Sequence, residues 1–417
     1  MRIKNIIKTR LKELSGKIMI FLNQLRSGDL PVVIILSKGK HGHSKNVSKA
    51  AKELGFRVHI FCPEFPVNEA YYASKWHRID CESDYALAIK IADKLNPSAV
   101  ILESKHSLLV MQNELARASG CIAVGHDSSV TSNSKSQMRE ALKSADIGTL
   151  NWYDFEKLNM NEKEPAQRYV YKPEVGSGSA GVRLIQSNLD LENLRAEYHN
   201  RDGILEEFIV GRQFDLEGIA VDGEYFPLCL VEEHYGDAPP FFPPSWFLFN
   251  PPIDNVTRLK IVENAKQALK ALGVKNGAWH IEQRLRNNNN EDIVVLDYAN
   301  RMGYNKLVSY ATRQSFPKLY IQSMLPNKNS FRDYTNDKDL GCLLKIYAFD
   351  EDQKNRLLSF AKQNIDMVLE IRSLPQKIGD WTFLGFVVFK SDDFDHLFRK
   401  LSSAKLLPQK IYEYYRV

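Results

Sequence analysis

The sequence predicts a chain of several domains in the α/β and α+β classes. Its 417 residues are too many for one ordinary hydrophobic core, so we expect about two to four domains. Near the start, short apolar runs alternate with helical segments, which is typical of an open, doubly wound sheet. Farther along, strands joined by tight turns indicate antiparallel sheets. The chain closes on a β-α-β-β-α order, which predicts a ferredoxin-like domain.

The composition is that of a soluble globular protein. Hydrophobic residues make up 44% of the chain and charged residues 26%. A net charge of +5 is small for this length and argues against nucleic-acid binding. No apolar run reaches the roughly eighteen residues of a membrane span. The five cysteines are scattered without a C-x-x-C pair, which predicts a reducing, cytoplasmic location and no zinc site.

Residues 1–28 are predicted to form an amphipathic helix. The segment begins with basic residues, but charges interrupt its apolar residues, so a signal peptide is the weaker interpretation. Its Lys/Arg face is either solvated, which is the more common case, or in contact with a membrane surface.

A β-α-β pattern begins at Pro31. The run Pro31–Ser37 is continuously apolar, as expected of a buried parallel strand. Further strands are predicted at Arg57–Cys62 and Ala99–Glu103, with helices at Lys45–Leu54 and Asp84–Leu95 between them. This alternation predicts a Rossmann-like sheet.

Three histidines are candidates for ligand contacts. His41 and His43 follow the first strand, at the carboxyl edge where such sheets bind ligands. His126 follows the apolar run IAVG. The alternative is that all three are ordinary polar loop residues.

The stretch RYVYKPEVGSGSAGV, Arg168–Val182, combines a strand with a loop of small residues. The strand ends at Pro173, and no side chain in Gly176–Gly181 is larger than a hydroxymethyl group. Backbone N–H groups of such a loop can approach an anion closely, and Lys172 can reach the same anion. The loop lacks the spacing of a P-loop or a Rossmann turn. It is either a phosphate cover or a flexible hairpin tip.

A second hairpin carries paired acids. GAWHIEQRL from Gly277 and IVVLDYANR from Ile293 are predicted antiparallel strands, with Glu282 on one and Asp297 on the other. Neighbouring strands lie about 4.8 Å apart, so two acids on one face can share a hard cation such as Mg²⁺. Arg301 is predicted on the same face as Asp297 and suits a phosphoryl oxygen. The alternative is a solvated hairpin with ordinary surface charges.

The segment His234–Pro252 is rich in proline and aromatic residues. Its six prolines and five Phe or Trp residues forbid a long helix and favour an extended apolar loop. We interpret it either as a wall of a substrate site or as a packing or dimer contact.

Together these motifs resemble the ATP-grasp superfamily, and within it the carboxylate–amine ligases. The resemblance covers about residues 120–320. Four elements occur there in the family's order: Lys135 in a helix predicted at Asn133–Ala145, the KP-x-x-GSGS-x-GV strand and loop, the hinge EEFIVG at residues 206–211, and the paired-acid hairpin ending in Arg301. Each motif is weak alone, whereas four in the same order are specific.

The resemblance implies an ATP site. Lys135 and Lys172 would bind the α- and β-phosphates. Lys172 and Arg301 would be catalytic, with Arg301 on the transferred phosphoryl group or on the donor carboxylate. Further nucleotide contacts would come from the loop, the hinge and the residue near the expected ribose-binding acid: Gly176, Ser177, Gly178, Ser179, Gly181, Glu206, Phe208, Ile209 and Gln213.

The metal site implied by the resemblance is Mg²⁺, with Mn²⁺ as an alternative, on Glu282, Asp297 and Asn300. Many family members carry E-x-N-x-R, whereas here the Asn is displaced by one residue. Asn300 would therefore point to the opposite strand face unless a bulge re-aims it. The usual ribose-binding acid is also absent. The candidates for its place are Gln213, Asp215 and Glu217.

The implied reaction is amide formation through an acyl phosphate, with amino acids as donor and acceptor and with ADP and phosphate as the other products. The alternatives are a nucleotide-binding module with weak or no turnover and a ligase with another donor or acceptor. A homodimer is a further expectation. The implied domains are a pre-ATP-grasp Rossmann-like domain at 29–130, an ATP-grasp domain at 131–325 with lobes at about 150–205 and 206–325, and a closing or dimerising domain at 326–417.

Overall fold

The structure, a computed structural model, describes residues 2–39, 44–103, 106–155, 168–197, 202–235, 245–326, 342–378 and 381–407. The candidates His41 and His43 lie outside these ranges, as does the middle of the proline-rich segment. Within them, no helix is both long and apolar enough to cross a membrane.

The predicted N-terminal helix is present as α1, Arg2–Ser27. One of its faces is docked on the protein: buried Asn23 donates hydrogen bonds to the backbone carbonyls of Tyr71 and Ala73, at 3.1 and 2.9 Å. At Gly16 an added Cβ would lie only 2.9 Å from the ring of Phe65, so the helix approaches closely there.

A parallel sheet with the strand order β3-β2-β1-β4 follows α1. Val33 and Ile35 belong to one buried cluster, and Ile34 and Leu36 to another. Burial on both faces explains the continuous apolar run in the sequence. The strands are β1 Val32–Leu36, β2 Arg57–Cys62, β3 Lys75–Arg78 and β4 Ala99–Leu102, and the helices are α2 Lys45–Glu53, α3 Tyr85–Leu95 and α4 Leu109–Ala118.

A small antiparallel sheet carries the Gly/Ser loop between two of its strands. Its order is β5-β8-β6-β7. The elements of this region are α5 His126–Thr131, α6 Lys135–Ser144, β5 Trp152–Asp154, β6 Tyr169–Pro173, β7 Arg183–Ile185, α7 Asn188–Glu197 and β8 Gly203–Glu207. Ser134 caps α6, because its side chain accepts the backbone N–H of Gln137.

The largest sheet is antiparallel and has eight strands in the order β13-β12-β9-β10-β11-β14-β18-β15. Its strands are β9 Gln213–Val221, β10 Glu224–His234, β11 Trp246–Phe249, β12 Gly277–Leu285, β13 Ile293–Ala299, β14 Cys342–Ala348, β15 Val368–Arg372 and β18 Gly385–Ser391. The helices beside it are α8 Asn255–Ala271, α9 Asn305–Ala311, α10 Phe316–Ser323, α11 Glu351–Gln363 and α12 Phe394–Ser403. The strands β16 Gln376–Ile378 and β17 Trp381–Phe383 form a separate two-stranded hairpin.

The C-terminal strands continue this sheet. β14 pairs with β11, so the elements predicted for residues 326–417 share a sheet with the preceding region. The described end of the proline-rich segment is therefore a strand, not an extended loop, and Trp246–Phe249 are all buried. The burial favours packing over a wall of a substrate site for these four residues.

Candidate active site

One pocket lies between the Gly/Ser loop, the hinge and the paired-acid hairpin. It collects twelve of the predicted site residues, which are Lys135, Lys172, Gly176, Ser177, Gly178, Ser179, Glu206, Phe208, Ile209, Gln213, Glu282 and Asp297. Gly181, Asn300 and Arg301 do not line it. The structure thus brings together side chains from four separate stretches of the sequence.

The backbone of the loop explains its glycines. Gly178 and Gly181 have φ angles of 64° and 74°, in the left-handed region that favours glycine. Ser179 shares this conformation with φ 56°. The loop therefore turns back on itself over the pocket and leaves its backbone close to whatever binds beneath.

Glu206 lines the pocket, but its carboxylate is paired with cations of the protein. Its side chain is almost fully buried and accepts from Arg139 Nε at 2.6 Å and from Lys172 Nζ at 2.8 Å. Burial alone would raise the pKa of Glu206, but Arg139 and Lys172 outweigh it and lower that pKa. Lys172 also donates to the carbonyl of Leu296 at 2.8 Å. These contacts fix the direction in which the Lys172 ammonium points.

Arg139 is a site residue that was not predicted from the sequence. It lies four residues after Lys135 and on the same side of α6, which is the signal that helical periodicity offers. Besides Glu206, Arg139 donates to the carbonyls of Val295 and Leu296, at 2.6 and 2.8 Å. It therefore ties α6 to the hinge and to β13.

The two acids of the hairpin face each other, as predicted. Glu282 and Asp297 are direct register partners on β12 and β13. Each keeps about a third of its side chain exposed, 32% and 27%. Lys135 Nζ lies 2.7 and 2.9 Å from the two carboxylate oxygens of Asp297, and His280 Nε2 lies 3.4 Å from Glu282.

These acids fit a hard cation that takes its other ligands from water and phosphate. Among the residues that the structure describes, no three His, Cys, Asp or Glu side chains are close enough to hold a metal by themselves. Mg²⁺, however, binds readily through one or two carboxylates together with substrate phosphates. The Lys135 ammonium group already lies against Asp297, so this position stabilises a cation.

Asn300 does not lie with these acids. Its side chain is fully buried, accepts from Ser128 Oγ at 2.8 Å and donates to the carbonyls of Asn276 and Ala278, at 3.3 and 2.8 Å. Its amide is therefore committed to the scaffold, and the prediction of Asn300 as a metal ligand is corrected. The physical reason is strand alternation, since Asp297 and Asn300 are three residues apart.

Arg301 lies beside the acids but behind the pocket lining. It donates to the carbonyl of Met302 at 3.0 Å, and its buried Nε has no hydrogen-bond partner within the described part of the chain. Burial lowers the pKa of Arg301, and the charges of Glu217, Asp297 and Glu282 oppose that shift. An unsatisfied buried guanidinium N–H next to acids fits an anionic ligand.

The three candidates for the contact with ribose are either buried outside the pocket lining or hydrogen-bonded to neighbouring side chains. Gln213 lines the pocket, but it donates to Glu233 at 2.6 Å and accepts from Tyr235 at 2.8 Å. Asp215 and Glu217 are fully buried. Glu207, which was not among the predicted site residues, is an acid that does line the pocket.

Behind the pocket lies a buried cluster of acids that sequence reasoning missed. Tyr304 Oη lies 2.8 Å from Asp215 and 2.7 Å from Glu233. Burial, with Glu233 and Glu282 nearby, raises the pKa of Asp215 well above its usual range. Burial also raises the pKa of Glu233. In the sequence, these acids carry no spacing signal, because they come from different strands.

His280 contacts acids of the same region. Its Nδ1 lies 3.0 Å from Glu217, whose carboxylate also accepts the backbone N–H groups of Gly303 and Tyr304 at 3.1 and 2.8 Å. Burial would lower the pKa of His280, but Glu217 and Glu282 outweigh it and raise that pKa well above its usual value. The predicted candidate His126 is exposed, 3.7 Å from Glu114, and does not line the pocket.

Known proteins resemble this chain in sequence over part of its length and in fold over most of it. No family model matches the chain. Alanine–anticapsin ligase of Bacillus subtilis (strain 168) is 24% identical over 257 residues, which are 54% of this chain and 53% of that protein. The chain therefore spans about half the length of the curated relatives it matches.

Solved structures match over more of the chain. The L-amino acid ligase from Bacillus licheniformis superposes with a TM-score of 0.71 and 17% identity, covering 90% of this chain and 98% of that one. The chain has the fold of the ATP-grasp superfamily. An N5-carboxyaminoimidazole ribonucleotide synthetase in complex with ADP matches with a TM-score of 0.69, 14% identity, and coverage of 90% and 96%. The resemblance predicted from the four motifs is confirmed.

Proposed function

We propose that the chain is an ATP-dependent, ADP-forming carbon–nitrogen ligase that joins the carboxylate of one amino acid to the amine of another through an acyl phosphate. The observation that carries the proposal is the pocket in which Lys135, Lys172 and the Gly/Ser loop face Glu282 and Asp297. Anionic ATP and a carboxylate can meet only where charge is neutralised, and this pocket offers both cations and cation ligands.

Each residue has a definite part in this proposal. Lys172, oriented by Glu206, binds a phosphate together with the loop N–H groups. Mg²⁺ held by Glu282 and Asp297 would supply charge neutralisation and alignment of the phosphates. Lys135 would then leave Asp297 and bind a phosphate oxygen. Arg301 binds the transferred phosphoryl group or the donor carboxylate through its unsatisfied N–H.

The closing loop protects the reaction from water. An acyl phosphate hydrolyses if water reaches it, so the Gly176–Gly181 loop would close over the bound nucleotide before transfer. The absence of any side chain beyond a hydroxymethyl group lets it lie directly on the phosphates.

The experiment measures ADP release by the purified chain with ATP, Mg²⁺ and the twenty amino acids, singly and in pairs, with mass spectrometry of the products. We expect ADP release that depends on amino acids, together with amide-linked products. Lys172→Met should lose turnover by about a hundredfold or more, whereas Lys143→Met, exposed on α6, should not change it. Acyl phosphate trapped by hydroxylamine without amino-acid dependence would refute the substrate class.

One observation favours a second candidate, a nucleotide-binding module without turnover. Asn300 is committed to the scaffold, so the implied metal site has two acids and not three ligands. ATP binding in calorimetry with no ADP release from any pair of substrates would decide for this alternative.

The finer predictions from the resemblance stay predictions. They are Mg²⁺ or Mn²⁺ as the metal, a homodimer, a cytoplasmic location, and domains at 29–130, 131–325 and 326–417. The parallel order β3-β2-β1-β4 supports the Rossmann-like assignment. Apart from the short β16–β17 hairpin, the β-α-β-β-α order from residue 342 supports a ferredoxin-like unit, although its strands belong to the large sheet.

A further inference from the structure

The helix α1 exposes a continuous apolar stripe. Its five large residues are each between 52% and 67% exposed, and they are Leu11, Leu14, Ile18, Phe21 and Leu25. Their spacings alternate between three and four residues, which places them on one face of the helix. At about 1.5 Å per residue the stripe is roughly 21 Å long.

The opposite face of α1 is fixed to the protein. Gly16 and Asn23 are buried there, and Lys52 Nζ donates to the side-chain oxygen of Asn23 at 2.8 Å. Ile20, between them, packs against the neighbouring core. Because these contacts prevent the helix from turning, the apolar stripe faces outward in the folded protein.

The stripe lies in a strongly basic helix. α1 contains seven Lys or Arg residues and one acid, Glu13. Arg10 and Lys17 are exposed, and their seven-residue spacing places both along one edge of the stripe. Long basic side chains beside an apolar face suit an interface in which the apolar residues enter lipid and the charges reach anionic headgroups.

We propose that α1 lays the protein on an anionic membrane surface, with the Leu11–Leu25 stripe in the headgroup boundary. Charge decides against a second copy of the chain. In a helix pair the positions beside the stripe meet each other, and here they are Arg10, Ser15, Lys17, Leu22 and Gln24. They include two cations and no acid, so a second copy offers no opposite charge to these cations, whereas anionic lipid neutralises them.

The experiment is co-sedimentation of the full chain with vesicles of phosphatidylcholine mixed with phosphatidylglycerol, compared with phosphatidylcholine alone. We expect binding to the anionic vesicles that is stronger by about tenfold or more and that weakens as salt is added. Leu14→Glu/Phe21→Glu and, separately, Arg10→Glu/Lys17→Glu should each weaken binding by about tenfold or more.

The matched control is Val256→Glu/Leu259→Glu on α8. Val256 and Leu259 are 58% and 54% exposed, close to the 57% of Leu14 and the 60% of Phe21, so the same two charges are introduced on another helix surface. It should leave vesicle binding unchanged, and thermal unfolding should be alike in all variants. Failure to bind anionic vesicles overturns the proposal, as does an equal loss in the control. A concentration-dependent dimer abolished by Leu14→Glu/Phe21→Glu, without vesicle binding, would identify a second copy as the partner. ATP turnover in solution does not enter this test, so it is independent of the proposed function.

Discussion

At the level of single residues, Asp297 and Asn300 show the division between pocket and scaffold. Asp297 lines the pocket, whereas Asn300 is buried and hydrogen-bonded to the scaffold. A metal role for Asn300 required a bulge between the two residues. The structure does contain a bulge, but it lies at Leu296, on the other side of Asp297. The register with β12 is therefore regular from Asp297 to Ala299, where β13 ends, and the Asn300 amide turns into the core. The sequence predicted the two acids, but the position of a bulge depends on pairing with β12 and could not be derived from β13 alone.

The first prediction tests that division. Asn300→Ala should lower the free energy of unfolding by about 1–3 kcal/mol, because the buried Ser128 hydroxyl and two carbonyls lose their partner. It should not change the Mg²⁺ concentration required for half-maximal ADP release. Glu282→Gln is the comparison and should raise that concentration. A similar rise for Asn300→Ala would place its amide on the metal after all.

The second prediction concerns the buried acid Asp215. Because its pKa is raised in the fold, Asp215 keeps a proton that the unfolded chain loses above about pH 4. The unfolded state then binds fewer protons, so this contribution to stability is full below that pH and falls as the pH rises toward the folded pKa. Asp215→Asn removes the titration. The stability of the variant relative to the unmodified chain should therefore increase with pH, by up to about 1.4 kcal/mol per unit.

Denaturant unfolding of both proteins between pH 5 and pH 9, as roughly the usable range, measures this difference. Asp392→Asn is the control, since the Asp392 side chain is 95% exposed. A difference between Asp215→Asn and the unmodified chain that stays constant with pH would mean that Asp215 is already ionised in the fold.

Helices and strands with strong periodicity were predicted well, and those made by tertiary contacts were not. β2 at Arg57–Cys62 coincides with its prediction, and α2 and α6 agree with theirs to within two residues at each end. The short strands β3, β5 and β7 lack a hydrophobic pattern of their own and form by pairing with longer neighbours. The strand β11 was not predicted, because the prolines on both sides of its FLF sequence favour an extended loop.

The third prediction tests the packing of the hinge. Gly211 ends the hinge with φ 142°, and a Cβ there would overlap the backbone carbonyl of Leu285. Gly211→Ala should therefore destabilise the fold by more than about 3 kcal/mol. Gly223→Ala is the control, because it has φ 83° but no atom within 4 Å, so it should cost only about 1 kcal/mol. Equal costs in thermal unfolding would mean that the hinge moves away from Leu285 readily.

At the level of the whole molecule, the eight-stranded sheet joins segments that are far apart in the sequence. β11 lies between β10 and β14, so the sheet that carries Glu282 and Asp297 also carries the strands after residue 342. Both faces of this junction are buried. Trp246 and Leu248 share one cluster with Leu344, and Phe247 and Phe249 share another with Leu343. The sequence predicted the C-terminal elements themselves. It gave no sign of their sheet partner, because strand pairing across distant segments leaves no local pattern.

The last prediction follows from that junction. A chain ending at residue 326 should fail to unfold cooperatively or should aggregate, since removal of β14 exposes the edge of β11 and the apolar side chains on both of its faces. The measurement is thermal unfolding and limited proteolysis of residues 1–326 beside the full chain. The matched control adds charge at the same edge: Phe247→Lys in the truncated chain should recover solubility but not the cooperative transition, because the buried partners of β11 are still absent. A truncated chain that unfolds cooperatively at the temperature of the full protein would instead establish the C-terminal elements as an independent domain.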